Sequence, residues 1–356
     1  MKQANLEDIL MLINTTEYFD ILENIKVQIR SAQYRAVVGA NRELLTLYWN
    51  IGNIIIDNKK WGNKFVENLS KDIKADFPNV TGYSVRNLKY MQKFATTYPN
   101  IEFVQSVTAQ IPWTHNKSIL DKVKDEKQME WYIQKTSENG WTVDILEHQI
   151  ETKLYQRQVL ADKTTNYPEK LDVMQSELAV QTIKDPYWFD FIETKEKIIE
   201  RDIEHEMVAN VSKLLLELGT GFGFLGSQYH LEIGGEDFYL DLLFYNANLH
   251  CYFVIELKTG KFKAEYAGKL NLYLSAVDTL LKKDGDNPSI GLILCRDKNK
   301  TIAEYALRDM NKPIGVSEYK LTEYLPKELE NTLPSVEDIE KRVRANYDIT
   351  EQEGKE

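Results

Sequence analysis

Cysteine is nearly absent: Cys251 and Cys295 are the two in 356 residues. Two thiols cannot build a four-thiolate zinc site, and they read as reduced, buried thiols of a cytoplasmic protein. Histidine is scarce too. The five, at 115, 148, 205, 230 and 250, show no metal-ligand spacing. No stretch approaches the roughly 18 apolar residues of a membrane span. The opening MKQANLEDIL is acidic and amphipathic, which does not suit a secretory signal. Nucleophile elbow, Walker loop and paired-cysteine motifs are all missing. GFGFLG at 221–226 follows a helix and precedes a strand, the reverse of the dinucleotide-binding order, so it reads as a helix stop and turn.

An excess of positive charge is also lacking. The chain has 44 Lys+Arg against 55 Asp+Glu, a net of −11, which argues against a protein coated in nucleic acid. The charge is nevertheless segregated. Residues 51–100 carry 8 basic and 4 acidic side chains, residues 201–250 carry 2 and 8, and residues 251–300 carry 9 and 6. Basic blocks around an acidic one suit local phosphate contacts and a local cation site. Apolar residues at 43% and charged residues at 28% are ordinary globular values and exclude a largely disordered chain. The length suggests two domains.

The first half reads as helical. Ile21, Ile25 and Ile29, then Leu44, Leu47, Tyr48 and Ile51, give a helix over 17–57. Trp61-Gly62 breaks the pattern. Phe65, Leu69, Ile73 and Phe77 make one stripe of a second helix, which Pro78-Asn79 ends. Gly82 supports a turn, and Ser84 can cap a third helix with Val85, Leu88, Met91 and Phe94 inside. Arg86, Lys89 and Lys93 fall on its outer face. Helix, short glycine turn and basic capped helix form a helix-turn-helix pattern. The bland reading, a hairpin with solvated lysines, is slightly favoured on these residues alone. Residues 112–160 are helical again, and Trp113, Trp131 and Trp141 are expected in a core. Residues 161–190, with Pro168 and Pro186, lose periodicity and mark a boundary.

The second half changes period. A helix over 196–218 is followed by YHLEI, a Gly234-Gly235 turn, EDFYLDLLFYN and HCYFVIELK, a β-meander. A helix over 263–283, the buried run SIGLILC, a helix near 300–310 and PIGVSEY complete one mixed sheet flanked by helices. Three charges sit where folding disfavours them. Asp241 lies inside YLDLLFY; Glu256 and Lys258 end YFVIELK. Isolated buried charges are costly unless paired or bound to metal. Strand alternation puts Glu256 and Lys258 on one side with Leu257 opposite, and Asp241 can face Glu256 if their strands are neighbours. Close carboxylates repel unless a cation joins them, and oxygen ligands favour Mg²⁺ or Mn²⁺ over zinc. A nearby lysine suits phosphodiester hydrolysis. A structural ion pair between strands explains the three residues equally well.

Asp241, fourteen residues, then Glu256-Leu257-Lys258 resembles the D…(D/E)-x-K core of the PD-(D/E)XK nucleases. The wording is closest to the YhcG-like members. It includes LLLELGTGFGFLGSQYHLEIGGEDFYLDLLFYN, VIELKTGKFKAEYAGKLNLYL, NPSIGLILC and KPIGVSEYKL, and in the first half GNKFVENLSKDIKADFP, YSVRNLKYMQKF, IPWTH and WYIQKTSENGWTVDILEHQI. The resemblance spans roughly residues 15–330. It implies a two-domain α+β protein, an all-α, winged-helix-like amino-terminal domain before a restriction-endonuclease-like αβββαβ mixed sheet. Asp241 and Glu256 are then metal ligands, with the Leu257 carbonyl as a third, and Lys258 is the catalytic lysine. Many relatives add a helix Glu; Glu204 matches best, with Glu206 and Glu217 as alternatives. The proline that often precedes the first Asp is replaced by Leu240. Lys269 and Tyr273 hold the i, i+4 spacing of a Gln and Tyr found in some members, and are expected at the nucleic acid with Arg86, Lys89 and Lys93. Gln228, on the first strand, is a weaker match.

The expected layout is a helical domain over 1–165, a linker over 166–190, a nuclease domain over 191–345 and a tail over 346–356. The expected function is a Mg²⁺- or Mn²⁺-dependent nuclease acting on nucleic acid, DNA in the first place. The expected partners are that nucleic acid, a second copy or a defence or repair protein, and no membrane. The alternative is a non-catalytic nucleic-acid-binding or assembly subunit on the same fold.

Overall fold

The computed structural model describes residues 6–58, 64–193 and 199–322. The expected break at Trp61-Gly62, the tail over 346–356 and the end of the nuclease domain beyond 322 lie outside them. The chain divides into two compact units, Met1–Tyr155 and Gln156–Glu356.

The first unit contains α1 (Leu6–Asp57), α2 (Lys64–Asp76), α3 (Val85–Thr97), α4 (Ile101–Ser106), α5 (Trp113–Lys122), α6 (Glu126–Asn139) and α7 (Val143–Glu151). Its core gathers Leu45, Tyr48, Leu88, Met91, Phe94, Ile119, Ile133 and Leu146. Each such buried aliphatic or aromatic side chain contributes about 1.5–3 kcal/mol relative to an exposed one. Ser84 caps α3, its hydroxyl accepting from the Asn87 N–H at 3.3 Å, and Leu88, Met91 and Phe94 are buried as their spacing predicts. Trp113, Trp131 and Trp141 pack against the core but are only partly buried. Ile21, Ile25 and Ile29 differ from expectation, since each is about half exposed on α1. Among the described residues of this unit there is no β-strand, so α2, the Gly82 turn and α3 stand without the strands of a wing.

The second unit opens with a π-helical turn (Gln156–Leu160), followed by β1 (Thr164–Thr165), α8 (Tyr167–Lys170), α9 (Val173–Thr182) and β2 (Tyr187–Glu193). Residues 166–190 are therefore not a linker. Tyr167, Ala179, Ile183, Tyr187 and Phe189 are buried in the sheet's main core, and β2 pairs in parallel with the last strand. Two prolines suggested a break. Pro168 instead occupies the first turn of α8, where its missing N–H costs nothing. Then come α10 (Glu200–Ala209), α11 (Val211–Leu218), β3 (Phe222–Ile233), β4 (Glu236–Asn246), β5 (Cys251–Lys261), α12 (Ala264–Leu280), β6 (Ile290–Asp297), α13 (Lys300–Arg308) and β7 (Ile314–Thr322).

The sheet runs β1-β7-β6-β5-β4-β3, with β2 also on β7. β3, β4 and β5 form an antiparallel meander, and β5, β6 and β7 are parallel through the α12 and α13 crossovers. One face buries Ile203, Met207, Leu214 and Leu218 of α10 and α11. The other buries Ala267, Leu270, Leu274 and Val277 of α12 with Ala303 and Leu307 of α13. GFGFLG behaves as expected only at its start. Gly219 and Gly221 turn the chain with φ of +109° and +89°, but Phe222 already begins β3 because Phe222 and Phe224 pack on Phe244. Cys251 and Cys295 are free and buried, and burial pushes each thiol up to about 12. No helix among the described residues is long and apolar enough to cross a membrane.

Candidate active site

β5 is covered on both faces and flanked by strands on both edges, which is why its sequence is nearly all apolar. Ile255 and Leu257 point into one core and Val254 into the other. Alternation then places Glu256 and Lys258 on the Val254 side, toward α12. Glu256 has no exposed surface, and Lys258 is 7% exposed.

Asp241 reaches the same place from β4. The ladder between β4 and β5 ends at Leu242↔Ile255, one step before Asp241 would pair with Glu256. Beyond that step a carboxylate replaces a backbone acceptor: Oδ2 of Asp241 takes the Leu257 N–H at 2.8 Å. Burial, and then the charge of Glu256, push the Asp241 carboxyl from 3.8 up to about 6. The Leu257 N–H and the two lysines oppose that shift without cancelling it.

The Lys258 ammonium sits in a nest of oxygens. It donates to the Leu257 carbonyl at 2.5 Å and to Glu200 at 3.1 Å; Glu256 Oε1 is 3.0 Å away and Asp241 Oδ2 4.0 Å. Burial alone would lower its pKa, but Glu256 and Asp241 hold it above the ordinary lysine value. Tyr319 donates to the Lys258 carbonyl at 3.2 Å and fixes the strand from behind. The Tyr266 ring centroid lies 5.3 Å from the ammonium.

Lys269 of α12 donates to Glu256 Oε1 at 2.6 Å. Its pKa is raised: the bond to Glu256 outweighs burial. Tyr273, one turn on, corrects an expectation. It is 3% exposed and packed in the core, so it cannot lie against nucleic acid; its ring instead supports Lys269, whose Nζ is 5.1 Å from the centroid.

Glu204 and Glu217 separate cleanly. Glu204, on α10, is buried, accepts from Gln228 at 2.7 Å and feels the charge of Glu256. Its pKa is raised, chiefly by burial. Glu217, on α11, is held by Arg157 at 2.5 Å, Lys184 at 3.6 Å and the Trp188 N–H at 2.8 Å, an ion cluster that ties β2 to the helices. Glu206 bonds Asn210 on its own helix. Gln228 falls between the pairs Ser227↔Leu242 and Tyr229↔Leu240, opposite Asp241, with a φ of +43°. That left-handed backbone is uncommon for a non-glycine residue and aims its amide at Glu204. Glu200 was missed in the sequence. Its signal was the i, i+4 spacing to Glu204, which puts both on one face of α10.

The donor set fits a hard divalent cation. Glu256 Oε2 is buried with no hydrogen-bond partner. Two carboxylates and a peptide carbonyl are oxygen donors of the kind Mg²⁺ takes while keeping several waters. Among the described residues no three His, Cys, Asp or Glu side chains converge to cage an ion by themselves.

In the first unit the basic set divides. Lys93 pairs with Asp121 at 2.8 Å. Arg86 lies over the Tyr90 ring, 5.8 Å from its centroid. Lys89 is exposed on α3.

A mixed sheet whose second meander strand carries an Asp and whose third carries Glu-Leu-Lys, between two helical layers, is the architecture of the PD-(D/E)XK nuclease fold. Residues 180–334 match the family model of the YhcG PDDEXK nuclease domain, and residues 24–157 match that of the DUF1016 N-terminal domain. The chain thus joins a YhcG PDDEXK nuclease domain to a DUF1016 N-terminal domain. It is 29% identical to the Escherichia coli (strain K12) protein named "Putative nuclease YhcG" over 343 residues, 86% of this chain and 91% of that one. Among solved structures, a repair endonuclease from Pyrococcus abyssi aligns at a TM-score of 0.26 and 13% identity, covering 36% of this chain and 49% of its own. An EndoMS–dsDNA complex aligns at 0.26 and 15%, covering 38% and 51%.

Proposed function

We propose that the chain is a Mg²⁺- or Mn²⁺-dependent nuclease that hydrolyses phosphodiester bonds of DNA, with the helical first unit contacting the nucleic acid. The observation that carries this reading is the buried Lys258 ammonium lodged among Leu257 O, Glu256, Glu200 and Asp241. A core has no use for four oxygens and an ammonium on a central strand unless the charges work.

In this reading Asp241, Glu256 and the Leu257 carbonyl would hold the metal, and a bound divalent cation would supply Lewis-acid polarisation of the phosphate and a lowered pKa for water. Lys258 is the catalytic lysine. Its ammonium, protonated at neutral pH, orients the attacking water and stabilises negative charge developing on the phosphate. Glu200 keeps that ammonium in place. Glu204, held by Gln228 and close enough to feel the charge of Glu256, is the helix carboxylate of the same site. Lys269, nearly half exposed, supplies positive charge where the phosphate backbone enters. In the first unit α2, the Gly82 turn and α3 act as a helix-turn-helix, with Arg86, Lys89 and Lys93 as phosphate contacts.

The test is incubation of the full chain with linear duplex, branched and single-stranded DNA and with RNA, in Mg²⁺, Mn²⁺ or EDTA. The expected result is cutting of at least one DNA in either metal and none in EDTA. A folded protein that cuts nothing in either metal, yet binds the same substrates, supports the non-catalytic alternative instead. Metal-dependent cutting confined to RNA would keep the nuclease and replace the substrate.

A further inference from the structure

A cavity of about 390 Å³ opens in the first unit beside the amino terminus of α3. Tyr48, Ser84, Arg86, Tyr90, Trp113 and Lys117 line it. Its size is near the lower end of ligand pockets, too small for a duplex. Its chemistry is one-sided: three aromatic rings and two cations, and no carboxylate on its walls.

The walls are built in advance. Trp113 meets Phe94 edge-on at 5.2 Å and Tyr48 at 5.0 Å, and donates to Asn87 Oδ1 at 2.8 Å. Asn87 in turn donates to the Gly82 carbonyl at 2.5 Å. Gly82 has a φ of +102°, and a Cβ there would come within 3.2 Å of the Tyr48 hydroxyl. Glycine thus makes the turn and keeps that side of the pocket open. Arg86 and Lys117 both approach the Tyr90 ring, at 5.8 and 5.7 Å. Tyr90 is anchored by its hydroxyl, which donates to Asp121. Among the described residues neither Arg86 nor Lys117 is paired with a carboxylate within 4 Å. Two cations drawn over one ring, neither of them in an ion pair, leave their donors available to an anion. The first turn of α3 adds its N–H dipoles on the same side. Flat aromatic walls take a base, because every base has a stacking face.

We infer that this cavity is a binding pocket for a single nucleoside phosphate unit, its phosphate held by Arg86 and Lys117 and its base against the tyrosines and Trp113. The assignment rests on the reading of the first unit as a nucleic-acid-contacting module and sharpens it. Such a module would hold one unpaired or terminal nucleotide as well as phosphates along a backbone. The shared chemistry can come from a strand or from a free nucleotide.

Calorimetric titration of the full chain in EDTA separates the sources. The probes are dAMP, deoxyadenosine, inorganic phosphate and a 5′-phosphorylated thymidine trinucleotide. The expected result is binding of dAMP or the trinucleotide at least tenfold tighter than deoxyadenosine or phosphate alone. The tighter of the two names the source, a strand end or a free nucleotide. Arg86→Gln/Lys117→Gln should weaken the bound probe tenfold or more. Lys124→Gln/Lys127→Gln, the same charge change on exposed lysines away from the cavity, should leave it unchanged. Phosphate binding as tightly as dAMP would make this a plain anion site and overturn the assignment. So would nucleotide binding that survives the Arg86/Lys117 change. A chain that cuts DNA in metal but binds no nucleotide in EDTA overturns the pocket and leaves the nuclease standing.

Discussion

From α12, Lys269 sets its ammonium 2.6 Å from Oε1 of Glu256, a carboxylate with no exposed surface, while Lys258 approaches the same oxygen at 3.0 Å from its own strand. Two lysines thus balance this buried carboxylate. A divalent cation entering here would take over part of that balance.

Lys269→Gln should therefore destabilise the metal-free protein and enlarge the stabilisation that Mn²⁺ confers, since a ligand that binds the native state raises stability by mass action. Thermal melts in EDTA and in a Mn²⁺ series check this. A variant with the wild-type melting temperature in EDTA and the wild-type Mn²⁺ shift would contradict it.

Asp241 has the opposite character. Its folded pKa, about 6, lies above the ordinary 3.8. Between these values the native state keeps a proton that the unfolded chain has lost, so its contribution to stability falls as pH rises from about 4 to 6 and stays low above that. Asp241→Asn removes the penalty. In EDTA the variant should match the wild type near pH 4 and exceed it by on the order of 1–3 kcal/mol at pH 7. Urea melts across pH measure the difference. An equally stable or weaker variant at pH 7 would show that Asp241 carries no such strain.

Glu217 should behave as a structural residue. Its carboxylate is shared by buried Arg157 and Lys184, and burial lowers the Lys184 pKa to about 8. Removing one member of a buried ion cluster strands the others, so Glu217→Ala should cost about 3–5 kcal/mol. Chemical denaturation gives the loss. Replacement of Glu204, which accepts a hydrogen bond from Gln228, should cost less stability and more cleavage.

On α3, Lys89 and Lys93 should not be equivalent. Lys93 must leave Asp121 to meet a phosphate, whereas Lys89 is exposed and has no such ion pair among the described residues. Lys89→Gln should weaken DNA binding more than Lys93→Gln and make the log affinity–log salt slope shallower by about 1. Anisotropy titrations at several salt concentrations read both quantities.

Much of this was legible in the sequence because charges inside apolar strands are rare and carry information. Asp241 in YLDLLFY, and Glu256 with Lys258 in YFVIELK, stood out against their neighbours, and their convergence needed only that β4 and β5 be adjacent. The Ser84 cap and the buried face of α3 followed from local rules. What stayed hidden depended on partners far along the chain. Residues 166–190 looked irregular because their elements are short and their burial comes from β7, more than a hundred residues away. Glu200 was one glutamate in an acidic helix until Lys258 was placed beside it. The left-handed backbone of Gln228 has no sequence signature. Tyr273 looked like a ligand-facing residue by spacing, and its burial depended on how α12 sits on the sheet.

The most direct test of the account is cleavage by Lys258→Ala beside the wild type, on the best-cut substrate in Mg²⁺, with circular dichroism to establish that both are folded. The expected result is a variant that melts cooperatively and binds the substrate but cuts it at least about a hundredfold more slowly, the usual loss when a charge-stabilising group is removed. A folded Lys258→Ala protein that cuts at the wild-type rate would place the chemistry elsewhere and contradict the assignment of this site.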